Sequence, residues 1–229
     1  MPGDADLARI ASLLADRHRA AMLLVLLGGR PQSASGLADA AKISRSLASV
    51  HLRKLVDGGL LVVEPVGRQR LYRLATAVAD AIEGLLLLAP PSAVNSFRAA
   101  RNGDNLRRAR MCYDHLAGTV GVLMSETLVA RGFLVETERG YRVTGVGGAA
   151  LAEIGVELES LERRARPLAR RCMDWSERRN HVAGSLGAAL ASRFLALRWL
   201  RQHEASRAVS LTRDGRRGLN EWIGLEVTG

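Results

Sequence analysis

The sequence predicts a mainly α fold with short β-hairpins, arranged in two parts along 229 residues. Three observations predict it. Apolar residues recur at helical spacing from Leu7 to Leu55, in segments closed by glycine pairs. The pattern then becomes strand-like on either side of Gly67-Arg68-Gln69-Arg70. Beyond residue 104, one motif occurs twice in the same order. Aromatic residues make up only 4% of the chain, so aliphatic side chains must fill the core.

Leu7, Ile10 and Leu14 form the stripe of a first helix. Asp16 can cap a second, which carries Leu23, Leu24 and Leu27 and ends at Gly28-Gly29, where the left-handed conformation costs glycine nothing. After Pro31 a third helix runs from about Ser33 to Ala41 around Leu37. A tight connection at Lys42-Ile43 leads to Ser44, the cap of a fourth helix that reaches Asp57. Ala48, Leu52 and Leu55 form its inward stripe, and the opposite face holds Arg45, Ser46, Ser49, Arg53 and Lys54. LLVVEPV and RLYRL then flank the basic tip as a hairpin, and a last helix with Val78, Ile82, Leu85 and Leu86 stops at Pro90-Pro91.

Residues 1–89 therefore form a first domain, and 90–104, rich in Pro, Asn, Ser and Gly, a linker. Residues 105–229 form a duplicated C-terminal domain. Cys112-x-Asp114-His115-x-Ala117-Gly118-x-x-Gly121 recurs as Cys172-x-Asp174 and, after an insertion, His181-x-Ala183-Gly184-x-x-Gly187. Thr144-x-x-Gly147 recurs as Thr212-x-x-Gly215, each after a strand-like segment. The expected unit is helix–helix–hairpin–helix.

A formal net charge of +10 points to a polyanionic partner, nucleic acid or an acidic membrane surface. The longest apolar runs, AAMLLVLL and GLLLLAPP, are too short to span a bilayer, so a cytoplasmic protein without membrane association is expected. Two cysteines do not make a disulfide scaffold. The arginines at 98, 101, 107, 108 and 110 read as an extension of a DNA footprint, and the run from Arg163 to Arg179 as solvated helix.

The segment from Leu14 to Leu74 resembles the ArsR/SmtB family of winged helix-turn-helix repressors. The likeness lies in the opening L-A-D-x-x-R at Leu14 to Arg19, the S-x-S-x-x-S-x-H-L helix at Ser44 to Leu52, and the G-L-L-V…G-R-x-x-x-Y-R hairpin. It implies a homodimer held by the first and last helices of the domain, bound to double-stranded DNA at an inverted-repeat operator. An effector-bound form would release the promoter. The residues carried over to the DNA contact are Ser44, Arg45, Ser46, Leu47, Ser49, Val50 and His51, with Arg53 and Lys54 near phosphate and Arg68, Gln69 and Arg70 in the wing. Val50 departs from the family, which often has arginine there.

The resemblance also implies metal or arsenite effectors, but Gln32 to Ala38 contains no cysteine to hold a soft metal. The last helix of the domain offers Asp80 and Glu83 without a histidine. The C-terminal domain is therefore the expected effector domain, with Cys112, Asp114, His115, Cys172, Asp174 and His181 as its candidate residues. The leading expectation is no cofactor and no metal, the repeated Cys and His being a buried packing motif. An organic ligand between the repeats, redox chemistry, and zinc held by Cys112, His115, Cys172 and His181 are the alternatives. Cys112, Asp114 and His115 also name the parts of a thiol hydrolase, but no Gly-rich oxyanion element accompanies them, so the expectation is not an enzyme. An architectural protein binding DNA without sequence preference is the rival DNA-binding class.

Overall fold

The computed structural model describes residues 4–90, 92–93, 96–204 and 206–227, with the side chain of Thr76 left out. It divides into two compact units, Met1–Gly84 with Glu204–Arg207, and Leu85–His203 with Ala208–Gly229.

In the first unit, helices α1 (Leu7–Leu14), α2 (Arg17–Leu26), α3 (Ala34–Ala41) and α4 (Arg45–Asp57) precede a hairpin of β2 (Leu61–Val66) and β3 (Gln69–Leu74), then α5 (Thr76–Leu86). The expected caps at Asp16 and Ser44 form, Asp16 accepting from the backbone N–H of His18 and Arg19 and Ser44 from that of Leu47. Ser33 also caps α3, accepting from the Gly36 N–H. Leu23, Leu26, Leu37, Leu52, Leu55 and Leu74 meet in a core that is almost wholly shielded from water. A two-residue strand, β1 (Gln32–Ser33), pairs with Tyr72 and Leu71 of β3 and closes a three-stranded sheet. The α1 stripe differs from expectation. No α1 residue is buried, and Leu7 is 78% exposed.

In the second unit the predicted linker is helical for much of its length. Ser96 caps α6 (Phe97–Arg108), accepting from the Ala99 N–H, while Pro91, Val94 and Asn95 lie outside the described residues. The duplication is visible in three dimensions. One copy runs β4 (Arg110–Cys112), β5 (His115–Ala117), α7 (Gly118–Ala130), β6 (Leu134–Thr137), β7 (Gly140–Val143) and α8 (Gly145–Glu153). After the short α9 (Leu158–Glu162) the other runs β8 (Arg170–Met173), β9 (Asn180–Ala183), α10 (Gly184–Ala196), β10 (Leu200–Gln202), β11 (Val209–Leu211) and α11 (Arg213–Ile223). Each unit is hairpin–helix–hairpin–helix, so the expected first helix is corrected to a hairpin.

The repeated residues have evident local causes. Thr144 and Thr212 cap α8 and α11, accepting from Gly147 and Gly215. Gly118 and Gly184 start α7 and α10 with φ of +78° and +84°, where a side chain would strain the backbone. The copies are interlocked: α7 packs on β9 of the other copy, and α10 on β5. Leu116, Val120, Met124, Val182, Leu186, Leu190 and Phe194 share one core.

Candidate nucleic-acid interface and a buried cysteine–histidine cluster

The turn before α4 is set by Lys42, which takes φ +55° as the left-handed C-cap of α3. Two residues later Ser44 Oγ accepts from the Leu47 N–H at 3.3 Å and starts α4. Ala48, Leu52 and Leu55 turn inward, so Ser44, Arg45, Ser46, Leu47, Ser49, Val50, Arg53 and Lys54 all face water. Leu47 and Val50 are 43% and 48% exposed, an apolar strip between cations. The β2–β3 turn is two residues long, Gly67 and Arg68, because Val66 pairs with Gln69; Arg68, Gln69 and Arg70 are exposed at its tip. Outward guanidinium groups of this kind can donate in parallel to the O6 and N7 of a guanine, or to phosphate.

α4 is fastened from behind by a polar cluster. The Arg19 guanidinium, nearly buried, donates to the carbonyls of Leu13 at 2.8 Å and Ser12 at 2.7 Å, the last turn of α1. It also lies 3.4 Å from His51 Nδ1. His18 Nδ1 meets the Ala41 carbonyl at 3.1 Å. The backbone N–H of Arg19, then that of His18 and the nearby positive charge, hold the Asp16 carboxyl below its usual range despite some desolvation.

In the second unit, β4 pairs with β5 so that Cys112 stands opposite His115, and β8 with β9 so that Cys172 stands opposite His181. The two hairpins bring these pairs together. The Sγ atoms are 3.9 Å apart, about twice the length of a disulfide bond, and the imidazole rings 5.1 Å apart. One donor atom from each residue lies within 4.8 Å of all the others. Both histidines are buried, and His115 Nε2 and both ring nitrogens of His181 lack a hydrogen-bond partner among the described residues.

A carboxylate stands behind each imidazole. Asp114 Oδ1 is 3.1 Å from His115 Nδ1, and its Oδ2 accepts from Arg166 at 2.5 Å. Burial raises the Asp114 pKa, but His115 and Arg166 outweigh it and bring it down to about 2. Asp174 Oδ2 is 3.7 Å from His181 Nδ1. It accepts from Arg110 at 2.9 Å and from the Gly118 N–H at 2.7 Å, while Oδ1 takes three donors from Ser176 and Glu177. Burial opposes its ionisation, yet Arg110 and these donors hold it well below the carboxylate range. The Cys112 thiol, with His115 and His181, draws the Cys172 thiol far below its ordinary range against the effect of burial.

The chain can now be placed among known proteins. Residues 14–64 match a family described as a helix-turn-helix domain. An uncharacterised HTH-type transcriptional regulator of Bacillus subtilis, YdfF, is 40% identical over 97% of this chain and 99% of its own. The chain belongs to the HTH-type transcriptional regulators. Its N-terminal part is a winged helix-turn-helix, with α3 and α4 as the helix pair and the β2–β3 hairpin as the wing. Two solved structures are similar to part of the chain. The cadmium metal-sensor CMTR of Mycobacterium tuberculosis shows 33% identity over 39% of this chain and 94% of its own, with a TM-score of 0.33. A homodimeric winged helix-turn-helix domain, Mb0332 of Mycobacterium bovis, described as a possible ArsR-family regulator, shows 26% over 38% and 89%, with a TM-score of 0.33.

For this regulator one expected base contact is corrected. His51 is only 8% exposed and faces Arg19, because it continues the Ala48, Leu52, Leu55 stripe. Arg110 is corrected too. Expected in a DNA footprint, it is fully buried against Asp174. Sequence reasoning gave no structural role to Arg19, although it closes the opening motif, or to Ser176. Arg19 could have been found from the charge it places one turn after Asp16; Ser176 sits in the insertion of the second copy, where the repeat offers no guide. No helix among the described residues is long and apolar enough to cross a membrane.

Proposed function

We propose that this regulator represses transcription by binding an inverted-repeat operator as a homodimer, with α4 in the major groove and the Gly67-Arg68 tip against adjacent phosphates or the minor groove. The outward face of α4 carries the proposal. It is short-chained, cationic and free of carboxylates until Asp57, and the domain's own core holds the helix from the other side. Arg45, Ser46 and Ser49 address base edges, and Leu47 and Val50 suit thymine methyl groups. Arg53, Lys54, Arg68 and Arg70 neutralise phosphate. Residues 1–89 serve as the DNA-binding and dimerisation domain. The solvent-exposed Leu7 and Ile10 of α1 support dimerisation, since burial against a second copy would remove them from water.

The C-terminal unit, in this reading, adjusts operator affinity in response to an effector, and the protein is not an enzyme. The burial of Cys112 and His115 supports that reading.

Footprinting upstream of the regulator's own gene tests the proposal. A protected inverted repeat is expected, with binding resistant to competition by random DNA. Arg45→Ala should weaken it by about 1–3 kcal/mol and relax one position. Arg53→Ala should weaken all sequences alike and reduce the log-affinity against log-salt slope by about 0.9. Equal displacement by random DNA would replace the repressor reading with an architectural one.

A further inference from the structure

We propose that Cys112, His115, Cys172 and His181 form a tetrahedral site for a divalent cation of the zinc class, fastening the two copies of the repeat to each other. The donors are two sulfurs and two imidazole nitrogens, a set that zinc takes in closed four-ligand sites. Bond lengths of about 2.3 Å to sulfur and 2.0–2.1 Å to nitrogen separate the donors of a tetrahedron by about 3.3–3.8 Å. The Sγ atoms, 3.9 Å apart, are already at that separation, and all four donors lie within 4.8 Å.

The surroundings agree with a cation at the centre. His115 and His181 are almost completely buried, yet His115 Nε2 and both nitrogens of His181 have no hydrogen-bond partner among the described residues. Unsatisfied buried polar atoms are costly, and a shared ligand would satisfy the ones that face inward. The carboxylates lie behind the rings. Asp114 meets Nδ1 of His115 at 3.1 Å and Asp174 lies 3.7 Å from Nδ1 of His181, which leaves each Nε2 for the metal. Arg166 and Arg110 in turn hold those carboxylates. Two thiolates neutralise a dication, so the occupied site buries no net charge at its centre. Each hairpin supplies one cysteine and one histidine in register, and the site therefore needs both copies.

Inert packing, the leading expectation from sequence, leaves those nitrogens unsatisfied. A redox disulfide would use the sulfurs and give the histidines no part. With four protein ligands and little solvent access, the site has the form of a structural centre rather than a catalytic one.

Full-length protein purified without chelators is assayed for zinc by mass spectrometry. The metal-stripped chain is then titrated with cobalt(II) under reducing conditions. We expect one metal per chain, the intense visible bands of tetrahedral cobalt, and a near-ultraviolet thiolate-to-metal band. Cys172→Ser and His181→Gln should each lower zinc affinity at least tenfold, with circular dichroism confirming the fold. The wild-type cobalt spectrum decides the matter even if a variant does not fold. Absence of zinc together with a weak, octahedral-type cobalt spectrum would overturn the proposal. So would a Cys112–Cys172 disulfide in protein isolated with its thiols trapped.

Discussion

Replacing Arg110 with methionine tests how the two repeats are joined. Arg110 and Asp174 are fully buried, and their 2.9 Å ion pair joins β4 of one copy to the β8–β9 loop of the other. The guanidinium also donates to the Leu106 carbonyl and to Ser176 Oγ, and lies 4.6 Å from the centre of the Trp175 ring. Methionine fills much of the volume but leaves the Asp174 carboxylate with its hydrogen bonds to Gly118, Ser176 and Glu177 and without this countercharge. Removing one partner of a buried pair costs about 3–5 kcal/mol, a large part of the stability of a domain this size. All three tryptophans, Trp175, Trp199 and Trp222, lie in the second unit, so their fluorescence in urea reports its unfolding alone. With a slope of about 1–3 kcal/mol per molar, the midpoint should fall by more than about 1 M. Adding Asp174→Asn, which removes the second charge, should recover at least about 1 kcal/mol relative to additive losses. A midpoint within about 0.3 M of wild type would refute the claim that this pair holds the copies together.

Further outcomes follow from the same geometry. Asp16→Ala should cost about 0.5–2 kcal/mol at neutral pH through loss of the α2 cap, measured by thermal melts. Because the folded pKa of Asp16 lies below 3.8, its charge stabilises fully above that value, and the gap between wild type and variant should close as pH falls through the lowered one. His51→Ala should lower the melting temperature of the first unit, whereas Arg53→Ala should leave melting unchanged and weaken DNA binding, separating the inner face of α4 from the outer. Gly184→Ala places a Cβ 2.6 Å from the Pro167 carbonyl at φ +84°, and should destabilise the second unit by about 1–3 kcal/mol in the tryptophan assay.

The first unit was largely legible because its signals are local. Ser44, Gly58 and the spacing of Ala48, Leu52 and Leu55 place α4 to within a residue or two. His51 shows the limit of transferring roles position by position. Its place in that same stripe already marked it as inward, and Arg19 explains how a polar ring is accommodated there. β1 escaped notice because two residues carry no period, and its pairing depends on Tyr72 and Leu71 far along the chain. α6 lacks an apolar stripe, so Asn102, Gly103 and Asn105 gave it the composition of a loop. Cys112 and His115 are three apart, a spacing that suits one face of a helix and equally a cross-strand pair over a two-residue turn. Tyr113, at φ +59°, decides for the turn, and nothing in its identity announces that. The meeting of the two Cys/His pairs rests on the interlocking of the copies, a long-range fact that the repeat hinted at without fixing.

That interlocking bears on what happens when the message is cut short. A stop codon between α9 and β8 would strip α7 of β9, and β5 of α10, the elements of the other copy that pack on them. Half of this module is not a smaller module but a sticky fragment fit for degradation, so protein truncated there should fail to accumulate, and any ancestral single-copy form would have had to exchange these parts between two separate chains.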